Sequence, residues 1–176
     1  MGSEPFYDLN IEAQNLVENA FWNLGDVEFS VNDLIITSPQ NFYIGERGNN
    51  VIDYEPSFWV GEMGLIYPSD YGYATSGGST IDKNKCYELN FSSWESECYN
   101  NNYLDYGSNQ WTITKIIYYE QPYIPDDVYV LSEGGTIINY YTMAPNISAS
   151  PVLYQKHEAL ITGGEGTIDN PYTLGI

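Results

Sequence analysis

Asp127-Val128-Tyr129-Val130-Leu131-Ser132-Glu133-Gly134-Gly135-Thr136-Ile137-Ile138-Asn139-Tyr140-Tyr141 holds two runs of β-branched and aromatic residues on either side of a Ser-Glu-Gly-Gly step. Such side chains fit a pleated, half-buried surface, and adjacent glycines supply the positive φ that a tight turn between antiparallel strands demands. The stretch predicts a β-hairpin. Upstream, Gln110-Trp111-Thr112-Ile113-Thr114 reads as another strand, and downstream so do Pro151-Val152-Leu153-Tyr154 and Ala159-Leu160-Ile161-Thr162. Nearer the N-terminus, Val27-Glu28-Phe29-Ser30-Val31 alternates like a half-buried strand. Leu34-Ile35-Ile36-Thr37 and Asn41-Phe42-Tyr43-Ile44 follow as strands, closed by the turn signals Ser38-Pro39, Gly45 and Gly48-Asn49-Asn50. The apolar stretch from Ser57 to Tyr67 carries Gly61 and Gly64, marks of a bend or a close backbone approach. Thr75 to Lys85, polar and containing Gly77-Gly78, reads as a surface loop, and the tail from Gly163 to Ile176 is rich in turns.

Tyr7 to Trp22 is the one convincing helix. Leu9, Ala13, Leu16, Val17, Ala20 and Phe21 recur at three- and four-residue spacing, with Glu12, Gln14, Asn15, Glu18 and Asn19 between them. Asp8 or Asn10 can cap its start, and Gly25 lies beyond its end. A single apolar stripe must pack on something, so the helix is expected to lie on the sheet. The predicted fold is α+β: one N-terminal amphipathic helix on a mainly antiparallel sheet with long loops. Residues 1–26 form the start and the helix, and residues 27–176 a single β-rich surface domain.

Five Lys and Arg against 24 Asp and Glu give a net charge of −19 over 176 residues. Counterion release, the main drive for nucleic-acid binding, then has the wrong sign, and nucleic acid is excluded as a charge-driven partner. Only 16% of residues are charged while 16% are aromatic, including 18 Tyr, a composition that folds and that resembles a surface protein more than a cytosolic enzyme. No apolar run is long enough to span a membrane. The opening Met1-Gly2-Ser3-Glu4-Pro5 reads as a start that replaces a removed segment, through which alone the protein would meet a membrane. The expected location is extracellular, at the cell surface.

Catalytic signals are sparse, and a non-enzymatic role is expected. His157 sits in the polar step Gln155-Lys156-His157-Glu158, where a solvated turn histidine outweighs a general base. No Gly-x-Ser-x-Gly elbow is present, and Asp126-Asp127 and Glu95/Glu97 are the pairs that chance gives an acidic chain. Gly163-Gly164-Glu165-Gly166 lacks the lysine of a phosphate loop. Calcium is the one cofactor the oxygen-rich composition would admit, but no Asp-x-Asp-x-Asp-Gly loop occurs, so solvated acids are the plainer reading and no metal site is assigned. Cys86 and Cys98, twelve positions apart with turn-forming Asn90 and Ser92-Ser93 between them, are expected to form a disulfide, with two buried thiols as the alternative. Closing so short a loop stabilises by about 3 kcal/mol in the chain-entropy account.

Tyrosine and asparagine crowd the segment from Tyr99 to Asn146. Tyrosine offers contact area at small entropy cost and asparagine offers adaptable hydrogen bonds, the composition of evolved binding surfaces. Asn101, Asn102, Tyr103, Tyr106, Tyr118, Tyr119, Tyr123 and Tyr141 are therefore candidate contacts for a protein or glycan ligand. The alternative is that strand tyrosines such as Tyr129 and Tyr140 pack half inside a sheet.

The block from Trp59 to Thr75, with its core Tyr67-Pro68-Ser69-Asp70-Tyr71-Gly72-Tyr73-Ala74, resembles one in exported, prepilin-like surface proteins of gut-dwelling Gram-positive and related bacteria. Cys86, Trp94 and Cys98 with Asn101-Asn102-Tyr103-Leu104 are similar to that family's cysteine loop, and Gly166-Thr167-Ile168-Asp169-Asn170-Pro171-Tyr172 to its ending. The chain departs from the family at Ser148-Ala149-Ser150, where Gly-Val-Arg is usual, and at Lys115, where proline is common. The resemblance implies a pilin-like ectodomain, with the N-terminal helix as the soluble half of a longer one, and adds other filament subunits to the expected partners. The order of Trp-Thr strand, hairpin and terminal turn is also similar to C-type-lectin-like domains, including the variable domains diversified by retroelements. The lectin sugar-binding tripeptides are absent: Gln121-Pro122 precedes Tyr123, and Glu55-Pro56 precedes Ser57.

Overall fold

A computed structural model describes residues 9–24, 26–29, 37–47, 58–104, 107–118, 127–141, 146–167 and 169–175. The fold is α+β. In chain order the elements are α1 (Ile11–Leu16), β1 (Ala20–Asn23), β2 (Asp26–Phe29), α2 (Pro39–Arg47), β3 (Phe58–Gly61), β4 (Gly64–Leu65), α3 (Pro68–Tyr73), α4 (Lys83–Glu88), a short 3-10 turn (Phe91–Ser93), α5 (Ser96–Asn100), β5 (Gln110–Tyr118), β6 (Asp127–Leu131), β7 (Ile137–Tyr141), β8 (Pro151–Val152), β9 (Leu160–Gly163) and β10 (Thr173–Gly175). Contacts divide the chain into two compact units. One comprises Met1–Trp22, Val60–Gly64 and Val152–Ile176; the other comprises Asn23–Trp59 and Leu65–Pro151.

The larger unit is built on a four-stranded sheet in the order β2-β5-β6-β7. β5, β6 and β7 are antiparallel neighbours, while β2 runs parallel to β5. The predicted hairpin is β6–β7, in register from Asp127↔Tyr141 to Leu131↔Ile137. Its turn closes with Ser132 N–H donating back to Thr136 O at 2.8 Å, and Gly135 takes a φ of 76°.

An aromatic cluster fills the core of this unit. Phe42 of α2 meets Tyr129 of β6 edge-on at 4.7 Å and Phe91 at 5.8 Å. Tyr71 stacks near Trp94 at 5.8 Å, and Trp94 lies 4.7 Å from Phe91. Perpendicular and tilted contacts of this kind add to the transfer free energy of burying large rings. Ile116, Val130, Leu131 and Ile137 are buried with them.

Two predicted elements are corrected here. Asn41–Ile44, expected as a strand, lies inside helix α2. Ser38-Pro39 is not a closing turn but a helix start: Ser38 Oγ accepts the Asn41 N–H at 3.3 Å, and proline occupies the first helical position, where its missing N–H costs nothing. Phe42 and Glu46, four apart, then share the buried face. The predicted loop from Thr75 to Lys85 ends at Asp82, whose carboxylate accepts the Lys85 N–H at 2.9 Å and caps α4. Leu34–Ile36 lie outside the described residues.

In the smaller unit, the helix predicted over Tyr7–Trp22 is also corrected. α1 covers only Ile11–Leu16, capped by Asn10 Oδ1 on the Ala13 N–H at 2.7 Å, and none of its residues is buried. Val17 turns extended, and in β1 Ala20 and Trp22 are buried while Phe21 is exposed. Burial with a period of two outcompetes the helical stripe because Trp22 finds a better seat as a strand residue. Its indole N–H donates to Gly61 O at 2.9 Å, and its ring lies tilted against Tyr154 at 4.8 Å. A Cβ on Gly64 would clash with three atoms of that ring, which explains the glycine. β9 and β10 pair antiparallel.

Candidate functional site

Three short helices, α3, α4 and α5, are held by cross-links that local propensity alone would not supply, since helices of five or six residues are marginal on their own. Cys86 of α4 and Cys98 of α5 form a disulfide with Cα atoms 5.8 Å apart, and both are buried. Trp94 caps the loop between them by donating its indole N–H to Cys86 O at 2.9 Å. Glu97 reaches back from α5 to the loop before α4. Its Oε2 accepts the N–H groups of Thr80 at 2.8 Å and Ile81 at 3.0 Å, and its Oε1 accepts the Ser79 hydroxyl at 3.1 Å. Those donors hold the carboxyl below the ordinary carboxylate range, the Thr80 bond foremost.

On this frame three tyrosines from three helices meet in a row. Tyr43 of α2 and Tyr73, the last residue of α3, are perpendicular at 5.8 Å. Tyr73 and Tyr87 of α4 meet edge-on at 4.6 Å, and the Tyr87 hydroxyl points at Tyr73 O at 3.4 Å. Tyr43 is 47% and Tyr73 37% exposed while Tyr87 is half-buried, so the row opens to solvent through its first two rings. Partial burial, followed by the neighbouring hydroxyls of Tyr43 and Tyr87, pushes the Tyr73 phenol above its ordinary range. Beside the row, Arg47 lies 5.9 Å from the Tyr43 ring centre and 4.0 Å over Tyr67, while its guanidinium binds Asp70 at 2.9 Å.

The predicted contact residues divide. Tyr103 is 78% exposed, and its N–H donates to Ala74 O at 3.1 Å, which stitches the Asn101–Tyr103 turn to the residue after Tyr73. Asn101 is exposed, its amide donating to Glu97 O at 3.1 Å. Asn102 is structural in its bonding: Nδ2 donates to Tyr71 O at 2.7 Å and Oδ1 accepts the Leu104 N–H at 2.8 Å. Tyr118 and Tyr141 fall in β5 and β7, with side chains outside the described residues, as are Tyr106, Tyr119 and Tyr123 altogether. Tyr129 is fully buried, so the strand-packing alternative holds there, whereas Tyr140 is exposed. The row Tyr43–Tyr73–Tyr87 was not among the predicted contacts. Its one sequence signal is the four-residue step from Tyr43 to Arg47, which on a helix places both on one face.

Three residues after Tyr43, α2 carries a fully buried carboxyl. Glu46 is 0% exposed; Oε2 accepts the Ser69 N–H at 3.3 Å and Oε1 the Thr114 hydroxyl at 3.0 Å. Burial pushes it up to about 7, the Ser69 and Thr114 bonds offset only part of that, and the Asp70 carboxylate adds to the rise. It is a hydrogen-bonded acid in the core and not a residue open to substrate.

His157 is exposed, with its side chain at 88%, and sits 3.3 Å from the Glu158 carboxylate. Among the described residues no three His, Cys, Asp or Glu side chains gather as metal ligands, and no helix is long and apolar enough to cross a membrane. Comparisons with protein-family models, curated proteins and solved structures find no match to the chain.

Proposed function

We propose that the chain is a non-enzymatic binding and adhesion module, displayed at the cell surface on a pilin-like protein, and that its contact surface centres on Tyr43, Tyr73 and Tyr87 with the adjoining Asn101–Tyr103 turn. The observation that carries this reading is the solvent-facing tyrosine row itself. Clustered exposed tyrosines present apolar area and hydroxyls together at little entropy cost, which is what a ligand-contacting surface needs. The disulfide fits an oxidising, extracellular setting and keeps the helices behind the row fixed. A charge of −19 favours a neutral or basic partner, protein or glycan, over an acidic one. Loss of binding on replacing the three tyrosines with serine is the test.

A second reading, a structural subunit of a filament, is favoured by β9. Leu160 is 63% and Ile161 61% exposed, and successive strand residues point to opposite faces, so each face of the β9–β10 ribbon shows one large exposed apolar side chain. Substituting both with Ser would then abolish assembly while leaving the tyrosine row intact.

A further inference from the structure

We propose that β7 is a pairing edge for a second copy of this chain, the two β7 strands joining antiparallel about a two-fold axis at Asn139. The proposal goes beyond the binding role and does not rest on the tyrosine row.

β7 ends the sheet order β2-β5-β6-β7, and among the described residues no strand pairs with its outer side. Backbone alternation fixes which groups that side offers. Beside the turn, Ser132 N–H donates to Thr136 O, so the bonded pairs that follow are Val130↔Ile138 and Val128↔Tyr140. The N–H and C=O groups of Ile137, Asn139 and Tyr141 therefore face away from β6. Such a row is a template for another strand.

The two edges of this sheet differ in charge. β2, at the far edge, carries Asp26 and Glu28 in four residues, and charges of this kind keep edges from pairing. β7 carries none. Ile137-Ile138-Asn139-Tyr140-Tyr141 is β-branched, amide and aromatic, and no charged residue occurs between Glu133 and Lys156. Two copies at −19 that repel elsewhere thus meet no like charge between their β7 strands.

The order of the side chains selects a second copy over an unrelated strand. Antiparallel pairing about Asn139 sets position 137 opposite 141 and 138 opposite 140, with Asn139 opposite itself. Each isoleucine position then falls opposite a tyrosine position, and β-branched with aromatic is a favourable cross-strand pair. Because the Asn139 backbone faces outward, it exchanges both N–H···O bonds with its own copy. Asn139 is exposed and Tyr140 is 44% exposed in the single chain, so both have area left to bury. The contact uses the same patch on both copies and closes at two, unlike a filament contact, which grows.

Analytical ultracentrifugation over a concentration series is the test, with Asn139→Lys and Asn139→Glu as variants. Asn139 is exposed, so both should fold, which circular dichroism checks. The intact chain should show a monomer–dimer equilibrium. Each variant alone sets like charges opposite one another and should weaken the dimer by about tenfold. An equal mixture of the two variants, where Lys faces Glu, should recover the dimer to within about threefold of the intact chain. Amide exchange at Ile137 and Asn139 should slow with concentration more than at Ile138 and Tyr140, which already bond to β6. Leu160→Ser/Ile161→Ser should leave the dimer intact; its loss there would move the contact to β9 and overturn pairing through β7. An intact chain that stays monomeric or assembles without limit overturns the proposal. So does a dimer that both Asn139 variants keep, or a mixture that recovers nothing.

Discussion

The Tyr71 hydroxyl donates to Gly135 O at 2.9 Å, joining the middle of α3 to the hairpin turn between β6 and β7. The bond is buried, and a Cβ on Gly135 would come within 2.7 Å of the Tyr99 Cβ as well as straining a φ of 76°. Tyr71→Phe leaves one carbonyl unmatched and should destabilise by about 1–2 kcal/mol. Gly135→Ala should cost more, because it adds backbone strain to a clash. Urea unfolding of the two variants measures both; equal or negligible losses would refute this account of the turn.

The disulfide carries a second expectation. Thiol titration of the folded, non-reduced protein should find no reactive cysteine, since both are joined. Replacing Cys86 and Cys98 together by serine should lower stability by about 3 kcal/mol, the closure term for a loop of this length. Two titrating thiols would contradict the pairing.

Glu97 makes stability depend on acid. Its folded pKa is lowered by the Thr80 and Ile81 N–H groups, so its contribution is present above the ordinary carboxylate range and is lost as pH falls through the lowered value. Glu97→Gln should flatten the acid limb of a stability-versus-pH curve and speed amide exchange at Thr80 and Ile81 at neutral pH. An unchanged acid limb would assign the loss to other carboxylates.

His157 should matter to nothing measurable. Exposed and paired only with Glu158, it predicts that His157→Ala changes stability by less than about 0.5 kcal/mol. A larger loss, or any lost activity toward a substrate, would reopen a catalytic reading.

The hairpin was legible because its two strands and its glycines all point to one structure, and β5 was readable from Trp111-Thr112-Ile113-Thr114. α2 was not, because Asn41-Phe42-Tyr43-Ile44 is too short to separate a strand from a helix by period, and Ser38-Pro39 serves turns and helix starts equally. α3, α4 and α5 have too few turns to show a period and are fixed by the Asp82 cap, Glu97 and the disulfide. In the same way, the tyrosine row joins residues 43, 73 and 87, a proximity that exists only once three helices pack. The crowding of tyrosine after Tyr99 drew attention to Tyr103 but equally to Tyr129, which hydrophobic pairing with Phe42 takes inside.

Binding of the intact chain and of a Tyr43→Ser/Tyr73→Ser/Tyr87→Ser variant, side by side on arrayed neutral glycans and basic extracellular proteins, tests the contact surface most directly. Circular dichroism and unfolding confirm first that the variant keeps its fold. The account predicts a partner that the intact chain retains and that the variant loses by about 2 kcal/mol, roughly thirtyfold in affinity. A partner held equally well by both chains, or no partner held by the intact chain, would contradict it.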